Sequence, residues 1–351
     1  MVNKVFIGQR AIGEGHPAYI VAEIGINHGG DMTLAKKMID AAKSSGVDAV
    51  KFQNYKTEDF VPTRKETHSY ISNGKAITET QYDLFKRYEL SNAQIVELAQ
   101  YCQNKCIDFH STPTNKEGVL LLKRVGVKVL KNGSDYLSNI PLIEDMAAAG
   151  LPTVLSTGMA TIEEIKEAIN SYKNAKGKNL ILLHCVSQYP TPLDELKLKR
   201  ITFLQNSFKI PVGFSDHSSG VEAAPIAIAL GACWIEKHFT LDRSLPGPDH
   251  TFSCTPTEMQ NLVRVVRAAE TALSFNSNRP ISRNEEKSRA LYRLSCAASR
   301  NLKAGTVLTL SDIAFFRPGN GFPPKDVSSL IGRTLSTPIQ RGSIFLKDFF
   351  I

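Results

Sequence analysis

The alternation of short apolar runs with helix-length segments constrains this 351-residue chain more than any other feature of its sequence. Each run is followed by a segment whose apolar residues recur at helical spacing, such as Ile162, Ile165 and Ile169. The eight runs are Tyr19–Gly25, Ala49–Gln53, Asp108–Pro113, Val127–Ser134, Thr153–Gly158, Leu180–Ser187, Pro211–Ser218 and Cys233–Leu241. Eight strands that alternate with helices predict a (β/α)8 TIM barrel. A doubly wound sheet is the alternative, but its Gly-x-Gly-x-x-Gly fingerprint is missing from the sequence.

Capping signals support the predicted helices. Polar residues that favour helix starts precede four of the helical segments, at Asp31, Ser91, Thr161 and Thr257. Glycines that favour helix ends precede three of the strands, at Gly46, Gly126 and Gly231.

The sequence pattern changes after the eighth predicted helix. We predict a catalytic barrel over residues 1–275, a polar linker over 276–292 and a small domain over 293–351. The last segment has short strand-like runs broken by frequent Gly and Pro, which predicts a β-rich fold. It is too small to be the catalytic unit.

Bulk composition narrows the possible partners and location. The net charge is +8 and the pI is about 9.1, but no Lys/Arg-rich run suggests nucleic-acid binding, so small anionic substrates are expected instead. No apolar run reaches the ~18 residues that a membrane span needs, and no signal-peptide core is present at the N-terminus. The six cysteines lack paired spacing, which predicts reduced thiols in a cytoplasmic protein.

Reactive side chains concentrate where the predicted strands end, and in a TIM barrel these ends form the active-site mouth. They are Glu23, Lys51, Gln53, Ser111, Thr112, Lys131, Ser134, Ser156, Thr157, Ser187, Tyr189, Ser215, His217, Lys237 and His238. His217 and His238 end adjacent strands and could share one metal ion. Alternatively, each is a hydrogen-bonded histidine at a strand end.

These residue types predict an anion site beside a metal. Lysines and hydroxyls form a cradle for phosphate or carboxylate, because both donate hydrogen bonds and the lysines add charge. A metal held by two histidines keeps open positions for a substrate carbonyl, and Glu23 could move a proton. Alternatively, Lys51 or Lys131 forms a Schiff base as in an aldolase, or the polar rim has no chemical role.

Several motifs together resemble the sialic acid synthase family. In chain order they are Ala-Glu-Ile-Gly-Ile-Asn-His-Gly-Gly (22–30), Val-Lys-Phe-Gln (50–53), Ser-Thr-Pro (111–113), Leu-Ser-Thr-Gly-Met-Ala (155–160), Leu-His-Cys-Val-Ser-Gln-Tyr-Pro (183–190), Gly-Phe-Ser-Asp-His-Ser (213–218), Glu-Lys-His-Phe-Thr (236–240) and Gly-Pro-Asp-His (247–250). Arg-Pro-Gly-Asn-Gly (317–321) resembles the antifreeze-like (SAF, β-clip) domain of that family. The resemblance covers nearly the whole chain.

This resemblance implies condensation of phosphoenolpyruvate with N-acetylmannosamine or a related N-acetylated sugar, giving N-acetylneuraminate or a close nonulosonic acid and phosphate. It assigns a divalent ion, Mn²⁺ or Mg²⁺, to His217 and His238, and catalysis to these histidines and Glu23. The substrate-binding residues that it implies are Lys51, Gln53, Thr112, Lys131, Ser134, Ser156, Ser187, Tyr189, Ser215, Asp249 and Arg317. Arg317 is expected to come from the partner subunit of a domain-swapped homodimer.

Some alternatives concern the substrate. Asp135 and Tyr136 replace the family's usual acidic pattern after Ser134, which affects the expected sugar more than the reaction class. A legionaminic acid synthase that uses 2,4-diacetamido-2,4,6-trideoxymannose is therefore the alternative.

Two other functions are possible alternatives. A heptulosonate-phosphate type synthase would need a second phosphate cradle. A non-enzymatic rival is a sugar-binding or ice-binding protein that works through its C-terminal domain.

Overall fold

The computed structural model describes residues 4–72, 74–274 and 280–351. They form two compact units, Met1–Ser274 and Phe275–Ile351. Residues 276–279 of the predicted linker lie outside the described residues. No helix in the described parts of the chain is both long enough and apolar enough to cross a membrane.

The first unit alternates strands with helices along its length. Its strands are β1 (Val5–Ile7), β2 (Arg10–Ile12), β3 (Tyr19–Gly25), β4 (Ala49–Asn54), β5 (Thr67–Ser72), β6 (Lys75–Thr80), β7 (Asp108–Pro113), β8 (Leu130–Asn132), β9 (Thr153–Ser156), β10 (Leu180–His184), β11 (Val212–Asp216) and β12 (Trp234–His238). Its helices are α1 (Met32–Ser44), α2 (Gln81–Tyr88), α3 (Asn92–Asn104), α4 (Lys116–Arg124), α5 (Ile140–Ala148), α6 (Ile162–Asn174), α7 (Arg200–Phe208), α8 (Ala223–Ala229) and α9 (Pro256–Leu273).

The predicted TIM barrel is confirmed. Eight strands pair in parallel in the order β7-β4-β3-β12-β11-β10-β9-β8. The strands at the two ends of this ladder, β7 and β8, pack beside each other and bring the sheet close to closure. Every strand of the barrel falls within one of the eight predicted runs, apart from the extension of β4 to Asn54. The doubly wound alternative is therefore wrong.

Helix starts follow the predicted caps at three of four positions. The side chains of Asp31, Ser91 and Thr161 accept hydrogen bonds from the first turns of α1, α3 and α6. The prediction at Thr257 is wrong, because Thr255 caps α9 and its backbone N–H donates to Glu258 at 2.9 Å. Pro follows at the first helical position, where its missing N–H costs nothing. The three helix-ending glycines all have positive φ, as predicted.

Two hairpins are added to the barrel. β1 and β2 pair antiparallel, and Ile7 and Ile12 pack with Trp234 in a buried cluster that includes residues from five barrel strands. β5 and β6 form a second antiparallel hairpin between β4 and α2. This second hairpin was missed, although Asn73-Gly74 between its strands is a strong hairpin signal in the sequence.

The second unit is small and built from short elements. It contains helix α10 (Arg283–Tyr292), which lies within the predicted linker, and the antiparallel strands β13 (Ser295–Ala298) and β14 (Ile313–Phe316). Ser282 caps α10 through the backbone N–H of Glu285 at 3.2 Å. Among the residues of this unit that the structure describes, nine buried side chains, including Leu330, Leu335 and Phe345, form the core.

Candidate active site

A cavity of about 850 Å³ opens at the carboxyl ends of the barrel strands. It is lined by every residue of the first unit to which the family resemblance assigns catalysis, substrate binding or metal binding, which are Glu23, Lys51, Gln53, Thr112, Lys131, Ser134, Ser156, Ser187, Tyr189, Ser215, His217, His238 and Asp249. The remaining one, Arg317, lies in the second unit, where its exposed guanidinium is 5.3 Å from the ring centroid of Tyr292. Parallel strands place their carboxyl ends together, so residues far apart in sequence meet here.

Two lysines and two carboxylates occupy the floor of this cavity. Lys51 Nζ lies 2.8 Å from Glu23 Oε1 and 3.9 Å from Glu236 Oε1. Lys131 Nζ lies 3.7 Å from the same Glu236 oxygen. All four side chains are almost completely buried, which is tolerated because opposite charges are paired.

The cluster changes the pKa values of its members in different directions. Burial raises the pKa of Glu23, and the charge of Lys51 offsets this only in part. Burial also acts on Glu236, but Lys131 and Lys51 outweigh it and lower the pKa of that carboxyl. Burial lowers the pKa of Lys131, with Glu236 opposing it. Glu236 therefore stays ionised between the two lysines, and Glu23 is the better placed carboxylate for proton transfer.

Hydroxyl groups surround the lysines. Lys131 Nζ donates to Ser156 Oγ at 2.6 Å, and Lys51 Nζ donates to Thr112 Oγ1 at 3.3 Å. Ser215 Oγ donates to Glu236 Oε1 at 3.0 Å. Cations and hydroxyls on one floor form the donor set that a phosphate or carboxylate needs.

Gly158 sets the spacing of two further hydroxyls. Its backbone N–H donates to Ser134 Oγ at 3.0 Å. A Cβ at this position would lie 2.5 Å from Ser187 Oγ, 2.7 Å from Ser134 Oγ and 2.9 Å from Cys185 Sγ. No side chain fits here unless these groups move.

Gly158→Ala is therefore expected to displace both serine hydroxyls and raise KM for the anionic substrate by about 100-fold, the effect of a misplacement of roughly 1 Å. Steady-state kinetics of both substrates would measure this. Gly126→Ala is the control for the loss of a glycine elsewhere, because Gly126 has open space around it and does not line the cavity, although its positive φ strains any substitution there. An equal rise of KM in both variants would contradict the positioning role.

The two predicted histidines lie side by side in the cavity in an edge-to-face contact, with ring centroids 5.5 Å apart. His217 Nδ1 lies 2.7 Å from the carbonyl oxygen of Val186, which can only accept, so Nδ1 carries the proton and Nε2 keeps its lone pair. Burial lowers the pKa of His217 to about 4. Burial, and then His217, lower the pKa of His238 well below its usual value. Both rings are neutral at pH 7, as metal ligands must be.

His238 supports a metal site in a second way. Its Nδ1 is buried and has no hydrogen-bond partner, and it lies 3.7 Å from Asp249 Oδ2. Burial raises the pKa of Asp249 to about 7. Among the described residues, no group of three or more His, Cys, Asp or Glu side chains could hold a metal. Two histidines with open positions for substrate oxygens fit the donor set of a divalent ion.

The predicted mouth was wrong for three residues. Lys237 points away from the cavity and pairs with Asp216, at 2.8 Å between Nζ and Oδ2. Ser111 and Thr157 do not line the cavity either. Adjacent residues of a strand face opposite sides, so Glu236 and His238 face the cavity and Lys237 cannot. Applying this alternation to Glu236-Lys237-His238 would have identified Glu236, which the sequence prediction missed.

Comparisons with known proteins agree with this geometry. The chain matches the NeuB family over residues 38–278 and the SAF domain over residues 295–351. It is 39% identical over 350 residues to the N,N'-diacetyllegionaminic acid synthase of Legionella pneumophila, covering 99% of this chain and 98% of that protein. It is 33% identical over 342 residues to the N-acetylneuraminate-9-phosphate synthase of Mus musculus, covering 97% of this chain and 94% of that protein.

A solved structure supports the same relationship. The crystal structure of the N-acetylneuraminic acid (sialic acid) synthetase of Leptospira borgpetersenii superimposes with a TM-score of 0.74 at 35% identity, covering 82% of this chain and 95% of that one. The predicted resemblance is thereby confirmed, and the non-enzymatic alternative is wrong. The chain belongs to the NeuB family of phosphoenolpyruvate-dependent sugar acid synthases and has a C-terminal SAF domain.

Proposed function

We propose that this enzyme condenses phosphoenolpyruvate with an N-acetylated mannosamine-type sugar and water, giving a nonulosonic acid and phosphate. The observation that carries the proposal is the pairing of a buried lysine and hydroxyl floor with two neutral histidines in one cavity. The floor matches the charge of phosphoenolpyruvate. The histidines lie beside it, where a sugar aldehyde would meet C3 of that substrate.

Each part of the floor has a role in this reaction. The residues that would hold the phosphate and carboxylate of phosphoenolpyruvate are Lys51, Thr112, Lys131, Ser134, Ser156, Ser187 and Ser215. Gln53, Tyr189 and Asp249 line the same cavity and would hold the sugar. His217 and His238 would hold a divalent ion, Mn²⁺ or Mg²⁺, which when bound supplies Lewis-acid polarisation of the aldehyde oxygen.

The reaction proceeds by addition and elimination. C3 of phosphoenolpyruvate attacks C1 of the open-chain sugar, forming the new C–C bond and leaving positive charge at C2. The carboxylate of Glu23 stabilises this charge and takes a proton as water adds to C2. The proton that Glu23 takes from water passes to the former aldehyde oxygen, which becomes a hydroxyl. The C2–O bond to phosphate then breaks, the new C2 hydroxyl gives its proton to the leaving phosphate, and C2 becomes the ketone of the product.

Two sugars remain candidates within this class. N-acetylmannosamine would give N-acetylneuraminate. 2,4-Diacetamido-2,4,6-trideoxymannose would give the legionaminic acid product, and the 39% identity to the Legionella pneumophila synthase favours this second candidate.

Phosphate release from phosphoenolpyruvate tests the proposal. We expect release that depends on one of these two sugars and stops when EDTA removes the metal. Erythrose 4-phosphate is the third arm, because a heptulosonate-phosphate type synthase would use it. The proposed function would be overturned if phosphate were released with erythrose 4-phosphate but with neither N-acetylated sugar, or if none of the three sugars gave release.

We further propose that the enzyme works as a homodimer in the cytoplasm, with Arg317 of one copy reaching the sugar in the barrel of the other. All six cysteines are free thiols, which suits a reducing compartment. Arg317→Ala should then raise KM for the sugar by about 5- to 150-fold, the loss of one buried polar contact. KM for phosphoenolpyruvate should stay unchanged. Arg341→Ala, at another exposed arginine of the second unit, is the control.

Subunit exchange sharpens this test. Mixing Arg317→Ala with His217→Ala subunits places both lesions in one site of the heterodimer and leaves the other site complete. Activity above the average of the two parents supports the exchange of Arg317 between subunits. If subunits are shown to exchange and activity still does not rise above the average of the two parents, Arg317 acts within its own chain or has no role.

A further inference from the structure

One side of the cavity is apolar, in contrast to its charged floor. Three rings form it, and we call Tyr55, Phe60 and Phe85 the aromatic wall. Their centroids lie 5.4 Å (Tyr55–Phe60), 5.8 Å (Tyr55–Phe85) and 5.0 Å (Phe60–Phe85) apart, all in edge-to-face contacts. All three line the cavity, and so do the neighbouring side chains of Ile26 and Leu84.

The aromatic wall offers a ligand no free polar group from its own side chains. The one hydroxyl among them, on Tyr55, donates to the carbonyl oxygen of Phe85 at 3.0 Å. Tyr55 is only 7% exposed, and burial raises the pKa of its hydroxyl. A sugar hydroxyl placed against these rings would lose water and gain no partner from them.

The wall lines the same cavity as the histidines, and the Gly247–Asp249 segment links the two. One end of this segment meets the histidines, because Asp249 lies 3.7 Å from His238. The other end meets the cluster of the wall, because a Cβ at Gly247 would lie 3.6 Å from the hydroxyl of Tyr88, which packs with the three rings. The loop that carries Asp249 is tied to the β5–β6 hairpin by a hydrogen bond from Gly247 N to Ser72 Oγ, 3.2 Å long. A sugar with its aldehyde at the histidines can extend along this segment, with its distal carbons toward the wall.

The chemistry of the two candidate sugars differs at those distal carbons. N-acetylmannosamine has hydroxyls at C4 and C6. The diacetamido-trideoxy sugar has an acetamido group at C4 and a methyl group at C6. Methyl groups gain from contact with aromatic rings, whereas unpartnered hydroxyls do not.

We propose that the aromatic wall is the specificity site of this enzyme and selects a 6-deoxy sugar with a second acylamino group over N-acetylmannosamine. This inference rests on the proposed function and decides which substrate that function uses. A hydrophobic pocket discriminates one methyl or hydroxyl by about 10- to 200-fold. We expect the wild-type enzyme to prefer the diacetamido-trideoxy sugar in kcat/KM by at least about 10-fold.

Size-matched substitutions test the wall. Phe60→Gln and Phe85→Gln add polarity and should reduce this preference by about 10-fold or more, through KM for the deoxy sugar. Phe60→Leu and Phe85→Leu keep the surface apolar and should retain most of the preference for the deoxy sugar. KM for phosphoenolpyruvate should not change in any of the four. Tyr82→Ala is the control, because Tyr82 lies on the same helix as Phe85 and does not line the cavity.

The outcomes separate the wall from the reaction itself. Phosphate release with either sugar upholds the proposed function, whichever sugar is better. A wild-type preference for N-acetylmannosamine, or equal preferences in the Gln and Leu variants, overturns the specificity site while leaving the proposed function intact. Release with neither sugar overturns both. Melting temperatures of all variants show that differences in kcat/KM come from folded protein.

Discussion

Replacing either His217 or His238 by alanine is expected to reduce synthase activity by about 1,000-fold or more, because a catalytic divalent ion supplies several kcal/mol of transition-state stabilisation. The two rings are neutral and 5.5 Å apart, and each supplies half of the proposed protein ligand set. Loss of one ring removes the chelation that holds the ion. Steady-state kinetics with saturating Mn²⁺, together with Mn²⁺ binding by calorimetry, measure the effect.

A third histidine gives the matched control. His184 ends the neighbouring strand β10 and is buried, but its Nε2 contacts the carbonyl oxygen of Leu196 at 2.6 Å and the side chain does not line the cavity. His184→Ala should therefore lower the melting temperature but leave Mn²⁺ affinity unchanged. Full activity of His217→Ala or His238→Ala in metal-free buffer would end the metal hypothesis.

The second large effect is expected for Lys131→Met. Removing one partner of a buried, hydrogen-bonded charge pair costs about 2–5 kcal/mol, which corresponds to a fall in kcat/KM of about 30-fold to several thousand-fold. We expect this fall for phosphoenolpyruvate, because Lys131 is a main cation of the floor and is positioned by Ser156 and Glu236. KM for the sugar should change little.

Lys237→Met separates this effect from simple loss of a buried charge. Lys237 is as buried as Lys131, but it pairs with Asp216 outside the cavity. Its removal should cost about 3–5 kcal/mol of folding free energy, seen in denaturant unfolding, without a specific rise of KM for phosphoenolpyruvate. The assignment of Lys131 to the anion floor would be wrong if Lys131→Met and Lys237→Met raised KM for phosphoenolpyruvate equally under conditions in which both variants are folded.

Much of the site was predictable because the carboxyl ends of all eight parallel strands of a barrel lie at the same end of it. His217 follows β11 and His238 ends β12, which are adjacent in both sequence and space, and Lys51 and Lys131 lie on strands of the same parallel sheet. Predicting the barrel from its periodicity was therefore enough to bring these side chains to one mouth. The prediction failed only where two neighbours on one strand both carried reactive groups, as at Glu236 and Lys237.

The sequence alone determined the barrel, three of the four predicted helix caps and most of the reactive side chains of the cavity, because these depend on periodicity, local capping and strand direction. Tertiary structure decided which residue of each strand faces inward and how charges pair. It made Glu236 the shared partner of Lys51 and Lys131, and it left no space for a side chain at Gly158. It also brought the aromatic wall together from segments on either side of the β5–β6 hairpin. Such contacts depend on distances between atoms far apart in sequence, and periodicity carries no information about those distances.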